Sequence, residues 1–316
     1  MQSIVRKIPL YLWLGIFILI LSFYFQGERI IQRQENEAKP VSVVQTKNQV
    51  EEKLKQMEQQ AHFESKTIRP VNAEQIAHAQ LNYEEVIDQW GIGSLYIPAA
   101  KIKTRILVGM TDDNLIVGVG TLTENQRLGQ GNYVVLAHSL VDGGGTLGNL
   151  PAAAIDSYIY ATDFSTIYIY KVTKNLIVHE TEVAYIEEPT QEQKPLLTLF
   201  RCEGDLNTEM RYLVQAELQE VISPNEVEPN ILENLGLVKE VNEELMDISK
   251  SSETTRDFTE SPAQGEVLNG EENFLKKKYS NWERFCLQVF LLINQNTGLF
   301  FSAYLVGFLV FLRMSR

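Results

Sequence analysis

The apolar positions of this chain fall into two blocks at its ends and a set of short runs between them. Residues 8–25 read IPLYLWLGIFILILSFYF, an almost unbroken apolar stretch. A helix that crosses a bilayer core needs about 20 such residues, so this run sits near the lower limit for a span. Arg6 and Lys7 precede it, which predicts a cytoplasmic N-terminus. No small-x-small site follows, which predicts a retained anchor rather than a cleaved signal peptide. A second apolar stretch covers residues 285–312 and is interrupted by Asn294, Gln295, Asn296 and Thr297. It is either one long span that buries the polar patch, or an interfacial segment (285–293) followed by a short span (298–312). Arg313 and Arg316 beyond it fit a cytoplasmic tail, although Lys276, Lys277 and Lys278 before it reduce the charge asymmetry.

Between these ends the pattern changes three times. Residues 28–66 are polar and rich in Gln, Glu and Lys, with helical character over 49–60. They predict either a stalk or a disordered linker. Residues 73–90 carry helix formers. Strand-like runs then follow at 94–102, 132–138, 158–162, 167–178, 196–202 and 211–221, separated by turns such as Gly129-Gln130-Gly131 and Asp142-Gly143-Gly144-Gly145. Many short strands with few helices predict a mainly β, closed or sandwiched antiparallel domain of about 150 residues. Beyond Val221 the chain turns acidic. Ile231, Leu235, Val238, Val241, Leu245 and Ile248 recur at three- and four-residue steps, predicting one apolar helix face. The acidic polar side of that helix favours packing on its own barrel over docking to anionic lipid. Residues 251–273 read as a tether.

The chain has 316 residues, 28 basic and 41 acidic, for a formal charge of −13. That balance excludes a protein built to grip nucleic-acid phosphates. The two cysteines, Cys202 and Cys286, lie in such different contexts that a disulfide is not expected. Of the four histidines, His62, His78 and His179 have no partners at metal-ligand spacing, so no zinc site is expected. His138 ends an apolar run ahead of a Gly-rich loop. Cys202 ends another apolar run, and Arg211 begins the next strand nine positions on. Two antiparallel strands joined by that loop would put Cys202 beside Arg211. A thiol needs a base or a lowered pKa to act as a nucleophile, and a guanidinium can donate to a developing oxyanion. Cys, His and Arg at three strand ends therefore suit acyl transfer, although spacing alone does not bring His138 to the other two. On position alone it reads more readily as an ordinary edge histidine.

Four segments resemble the sortase family. Gly93-Ser94-Leu95-Tyr96-Ile97-Pro98 is similar to its opening strand. Gly118-Val119-Gly120-Thr121, then Gly129-Gln130-Gly131-Asn132-Tyr133, resembles the approach to its histidine, with Ala137 where Gly is usual before His138. Leu197-Thr198-Leu199-Phe200-Arg201-Cys202 resembles its Leu-Thr-Leu-x-Thr-Cys signature, with Arg201 in place of Thr. Arg211-Tyr212-Leu213-Val214 matches its arginine strand. The resemblance covers about residues 72–221. Strand alternation should turn Arg201 away from the Cys202 face.

The resemblance implies an eight-stranded sortase-type β-barrel with short helices, and the apolar runs at the two ends add an N-terminal and a C-terminal transmembrane helix to it. It implies His138, Cys202 and Arg211 as the catalytic trio. The implied reaction is cysteine transpeptidation at an LPXTG-type sorting signal, cleaved between Thr and Gly. The surface protein would pass to the amine of a lipid-linked cell-wall precursor, on the outer face of a Gram-positive cell membrane. The lack of an Asp-Pro-aromatic lid motif and the short Cys-to-Arg loop look most like class A (housekeeping) enzymes. The alternatives are a pilin-polymerising sortase that uses a pilin lysine, and an inactive sortase-fold binding module. The expected organisation is a tail and anchor (1–26), a polar stalk (27–70), the catalytic barrel (71–222), an acidic extension (223–284) and a C-terminal apolar segment (285–316). No cofactor is expected. Calcium at Asp112, Asp113, Glu187, Glu188 and Glu192 is less favoured than solvated loop carboxylates.

Overall fold

The computed structural model describes residues 2–32, 41–42, 47–64, 71–139, 144–202, 208–238 and 279–314. Strand β1 (Val41–Ser42) lies outside the main sheet. Eight strands then close into a barrel: β2 (Gly91–Ile97), β3 (Ile102–Leu107), β4 (Val119–Thr121), β5 (Asn132–Ala137), β6 (Tyr158–Thr162), β7 (Ile167–His179), β8 (Leu196–Cys202) and β9 (Met210–Ile222). Their order around the barrel is β2-β3-β4-β5-β8-β9-β7-β6, and β6 closes on β2. The sheet is not purely antiparallel. β3 runs parallel to β4, and β5 runs parallel to β8. Parallel neighbours need a crossover between them. The helix over Asp112–Val117 supplies it for the first pair, and β6 and β7 intervene for the second.

The expected strand over 94–102 is two strands. Pro98 opens a short 3-10 turn over Pro98–Ala100, and Lys101 takes a left-handed conformation at φ +52°. Gly129 (φ +79°) and Gly131 (φ +52°) form the loop into β5, where a side chain would be strained. Leu95, Ile97, Tyr133, Val135, Leu197, Leu199, Val214 and Ala216 fill the barrel interior. All six residues of β5 are buried. That is why this strand reads as a continuous apolar run instead of an alternating one.

Helix α1 (Gln2–Gln32) contains one stretch, Lys7–Ile31, that is long and apolar enough to cross a membrane, with a mean hydropathy of 2.2. Helix α2 (Lys47–Glu58) belongs to the segment expected to be a stalk. Instead of standing clear, it is docked on the barrel. The Arg127 guanidinium donates to Glu51 at 3.0 Å and to Glu58 at 2.9 Å, and the Asn125 N–H also reaches Glu58. The expected 73–90 helix is α3 (Ala73–Leu81) and α4 (Tyr83–Trp90), broken at Asn82. Asn72 and Gln75 form a reciprocal capping box at the start of α3. The crossover helix over Asp112–Val117 is α5, with Thr111 as its N-cap.

The long helix expected over 231–248 does not form across its described part. Helix α6 (Pro229–Asn234) ends quickly, Gly236 turns the chain at φ +69°, and β10 (Leu237–Val238) pairs in parallel with β1. Leu232, Leu235 and Leu237 nonetheless pack on the barrel beside Phe164 and Ile167. Val241, Leu245 and Ile248 lie outside the described residues, as does the expected tether.

The C-terminal stretch is not one straight span. Helix α7 (Asn281–Gln295) and helix α8 (Thr297–Met314) meet at an angle of 90°. The polar patch explains the break. The Asn294 side chain donates to the Phe290 carbonyl at 2.9 Å, Thr297 to Ile293 at 2.9 Å and Asn296 to Leu292 at 3.2 Å. Of these carbonyls, Leu292 lies in the last turn, where a side-chain donor replaces a missing helical one, and Ile293 also accepts the Asn296 N–H at 3.3 Å. Helix α8 stacks Tyr304 on Phe17 of α1, with ring centroids 3.7 Å apart. Helix α7 bridges α1 and α3. On one side Cys286 and Leu287 are fully buried beside Ile30. On the other, the Tyr279 hydroxyl donates to Gln80 at 2.7 Å and Arg284 pairs with Glu84 at 3.3 Å.

This bridge depends on Gly27. A Cβ there would lie 2.6 Å from the Cys286 carbonyl oxygen and 2.7 Å from Phe290 Cβ. Gly27→Val should therefore push α7 off α1, at a cost of about 1–3 kcal/mol. Thermal unfolding of the detergent-solubilised protein should show a lowered Tm. An unchanged Tm would contradict the close approach.

Candidate active site

Strands β5, β8 and β9 are consecutive in the barrel. In the β8–β9 ladder Cys202 is the direct partner of Arg211, so the two side chains leave the sheet on the same face. In the parallel β5–β8 ladder the last pair is Ala137 with Arg201. His138, the next residue, therefore follows the end of β5 alongside Cys202. The three residues singled out in the sequence thus stand at adjacent strand ends. The parallel pairing that brings His138 there could not be read from spacing.

Cys202 is half-buried, whereas His138 is only 4% exposed. The His138 backbone N–H donates to the Leu115 carbonyl of α5 at 2.9 Å. Its Nε2 lies 3.1 Å from Asp112 Oδ1, and Gln75 Nε2 donates to Asp112 Oδ2 at 3.2 Å. Burial disfavours the imidazolium and lowers the His138 pKa below its ordinary value, against the upward pull of the Asp112 carboxylate. By sequence Asp112 reads only as one of the suggested calcium carboxylates. No local pattern links it to a histidine 26 positions away.

The Arg211 guanidinium donates to the carbonyls of Thr208, at 2.7 Å, and Met210, at 2.9 Å, and pairs with the Glu180 carboxylate. Its fork is thus organised by the edge of its own loop. Arg201 is buried at 6% exposure, on the opposite side of β8 from Cys202. It donates to the Cys202 carbonyl at 2.9 Å and to the Ser139 hydroxyl at 3.1 Å, tying the two strand ends together. Phe200, two residues before Cys202 and on its face, pairs with Leu136 of β5. Met110, Leu115 and Leu136 form a small apolar cluster against which Phe200 and Phe63 pack. An apolar strip therefore leads to the thiol.

The suggested calcium carboxylates do not converge. Asp112 serves His138 and Gln75, while Glu188 accepts the Asn132 N–H at 3.0 Å. Among the described residues no three His, Cys, Asp or Glu gather to hold a metal. A cavity of about 80 Å3, lined by Leu54, Arg127, Tyr133 and Tyr168, lies at the start of β5 and includes none of the three strand-end residues.

A thiol, an imidazole and a guanidinium on one rim can perform acyl transfer: one attacks, one moves a proton, one offers paired donors to oxygen. The sortase domain model matches residues 95–219, the span that carries all three. Sortase A of Listeria monocytogenes is 26% identical over 165 residues, covering 52% of this chain and 72% of that protein. Sortase A of Bacillus anthracis is 29% identical over 154 residues, covering 49% and 69%. The proposed sortase YwpE of Bacillus subtilis is 32% identical over 97 residues, which is 31% of this chain and 92% of that one. The solved structure of the Listeria monocytogenes enzyme superposes at a TM-score of 0.42 and 25% identity, covering 46% of this chain and 97% of that one. With a matching domain model and a relative aligned over nearly its whole length, the barrel and its rim identify the chain as a member of the sortase family of cysteine transpeptidases.

Proposed function

We propose that this chain is a membrane-anchored class A sortase that cleaves an LPXTG-type signal and joins the surface protein to the amine of a lipid-linked cell-wall precursor. The observation that carries this reading is the direct cross-strand pairing of Cys202 with Arg211, beside His138 at the end of β5. The Cys202 thiol passes its proton to His138 as Sγ attacks the Thr carbonyl carbon, and the carbonyl oxygen takes up negative charge. Arg211 turns its donors from the loop carbonyls to that oxygen. The C–N bond to Gly breaks, and His138 gives its proton to the leaving amine. The product is a thioester between Cys202 and the surface protein. An incoming amine then loses a proton to His138 and attacks the thioester, which forms the new amide and expels the Cys202 thiolate, and the thiolate takes the proton back from His138.

Placed in a cell, Lys7–Ile31 would span the membrane with Arg6 and Lys7 inside and the barrel outside. The division into anchor (1–26), lead-in (27–70), barrel (71–222), acidic extension (223–284) and C-terminal apolar segment (285–316) is part of the same proposal. A fluorogenic Leu-Pro-x-Thr-Gly peptide tests it. The expected result is cleavage between Thr and Gly, with the ligated product formed when a wall-precursor amine is added. Ligation to a pilin-domain lysine in preference to that amine would point to the polymerising class. No cleavage by the intact protein would mean a binding module.

A further inference from the structure

We propose that Asp112 is a positioning residue for His138 and is itself held by the side-chain amide of Gln75, an arrangement that rests on the reading of His138 as the proton carrier. The geometry comes from two helices that the barrel brings together. Asp112 opens α5, whose Thr111 cap fixes the first turn by accepting from the Asn114 N–H. The same helix accepts the His138 backbone N–H at Leu115. Helix α5 therefore holds the histidine by its main chain and by its ring.

Gln75 is not free to turn over. Its Oε1 accepts the Asn72 N–H at 2.9 Å, while its own N–H donates to Asn72 Oδ1 at 2.8 Å. With the carbonyl end of the amide engaged in the capping box, the NH2 end is the one that faces Asp112 Oδ2, at 3.2 Å. A carboxylate oriented in this way fixes the imidazole in turn. With Asp112 ionised, Nε2 carries the proton that points at Oδ1, which leaves Nδ1 to exchange protons with substrate. The arrangement has the logic of nucleophile, base and orienting group, with the orienting group 26 residues upstream on a crossover helix.

Other titratable or charged groups lie on the elements packed around the site. They are Asp113 on α5, His78 on α3, Arg201 and Cys202 on β8, and Arg211 on β9. Asp113 has its carboxyl raised by burial and lowered by His78. Arg201 is engaged with Ser139 and the Cys202 carbonyl, and Arg211 with Glu180. Asp112 is the group in hydrogen-bond contact with the ring. Its removal should leave the downward effect of burial on His138 unopposed by this carboxylate.

The test uses Asp112→Asn in the full chain, with two readouts. The His138 ring-proton titration, followed by NMR without substrate, should shift to lower pH by about 1 unit. The shift is downward because the lost carboxylate had favoured the cation. Turnover of the sorting peptide should fall about tenfold to a hundredfold in kcat, with KM within a factor of about two. Asp112→Glu should recover part of the loss. Gln75→Leu leaves the carboxylate but removes its support, and should move both readouts the same way by less. Should Asp112→Asn fail to fold, Gln75→Leu carries the test alone. A His138 titration unmoved in a folded variant overturns the proposal, and wild-type turnover would then still support the sortase reading. Full turnover by His138→Ala would sink that reading instead.

Discussion

Cys202→Ala should fold as the parent does and cleave no sorting peptide at all. The substitution removes one sulfur from a half-buried position at a strand end, so little packing is lost. On the proposed mechanism, what is lost is the atom that forms the thioester. The control is the other thiol. Cys286 is fully buried in the contact of α7 with α1, in a cluster that contains none of the three strand-end residues. Cys286→Ala should keep turnover and cost on the order of 1 kcal/mol of stability through the small void it leaves. Measurable turnover by Cys202→Ala, with the peptide cut at the same bond, would end the cysteine mechanism.

Arg211→Lys should lower kcat/KM about a hundredfold with Tm nearly unchanged, the cost expected for one oxyanion contact. The fork of the guanidinium already engages Thr208, Met210 and Glu180 in a fixed arrangement. Lysine keeps the charge but loses the planar set of donors that such an arrangement presents. Glu180→Gln is the informative companion. It removes the ionic partner while leaving the guanidinium in place, and should change the rate far less than Arg211→Lys. Near-normal turnover by Arg211→Lys would make the residue a solvated ion-pair member and would move the oxyanion donors to the backbone.

The sequence was most legible where a strand stood between clear turns. The runs at 158–162 and 196–202 are β6 and β8 to the residue. It was least legible where tertiary contacts override local pattern. β4 has only three residues and no alternation to detect. The end of the helix at Gly236 and the 90° bend at Asn296 are decided by a left-handed glycine and by side chains that satisfy helix-end carbonyls. In the site, the closeness of Cys202 and Arg211 followed from one short antiparallel connection. The closeness of His138 depended on a parallel ladder between strands that β6 and β7 separate in the sequence. Nothing in the sequence joins Asp112 to His138 or Gln75 to Asp112, because these contacts link elements separated by 26 and 37 residues.

The most direct test of the account is the mass of the enzyme caught during turnover. The intact protein, mixed with a Leu-Pro-x-Thr-Gly peptide and quenched in acid within the first turnovers, should carry the peptide fragment ending in Thr. Proteolytic mapping should place that fragment on Cys202, and hydroxylamine should remove it as expected for a thioester. Peptide cleavage with no adduct, or with an adduct on any residue other than Cys202, would contradict the account.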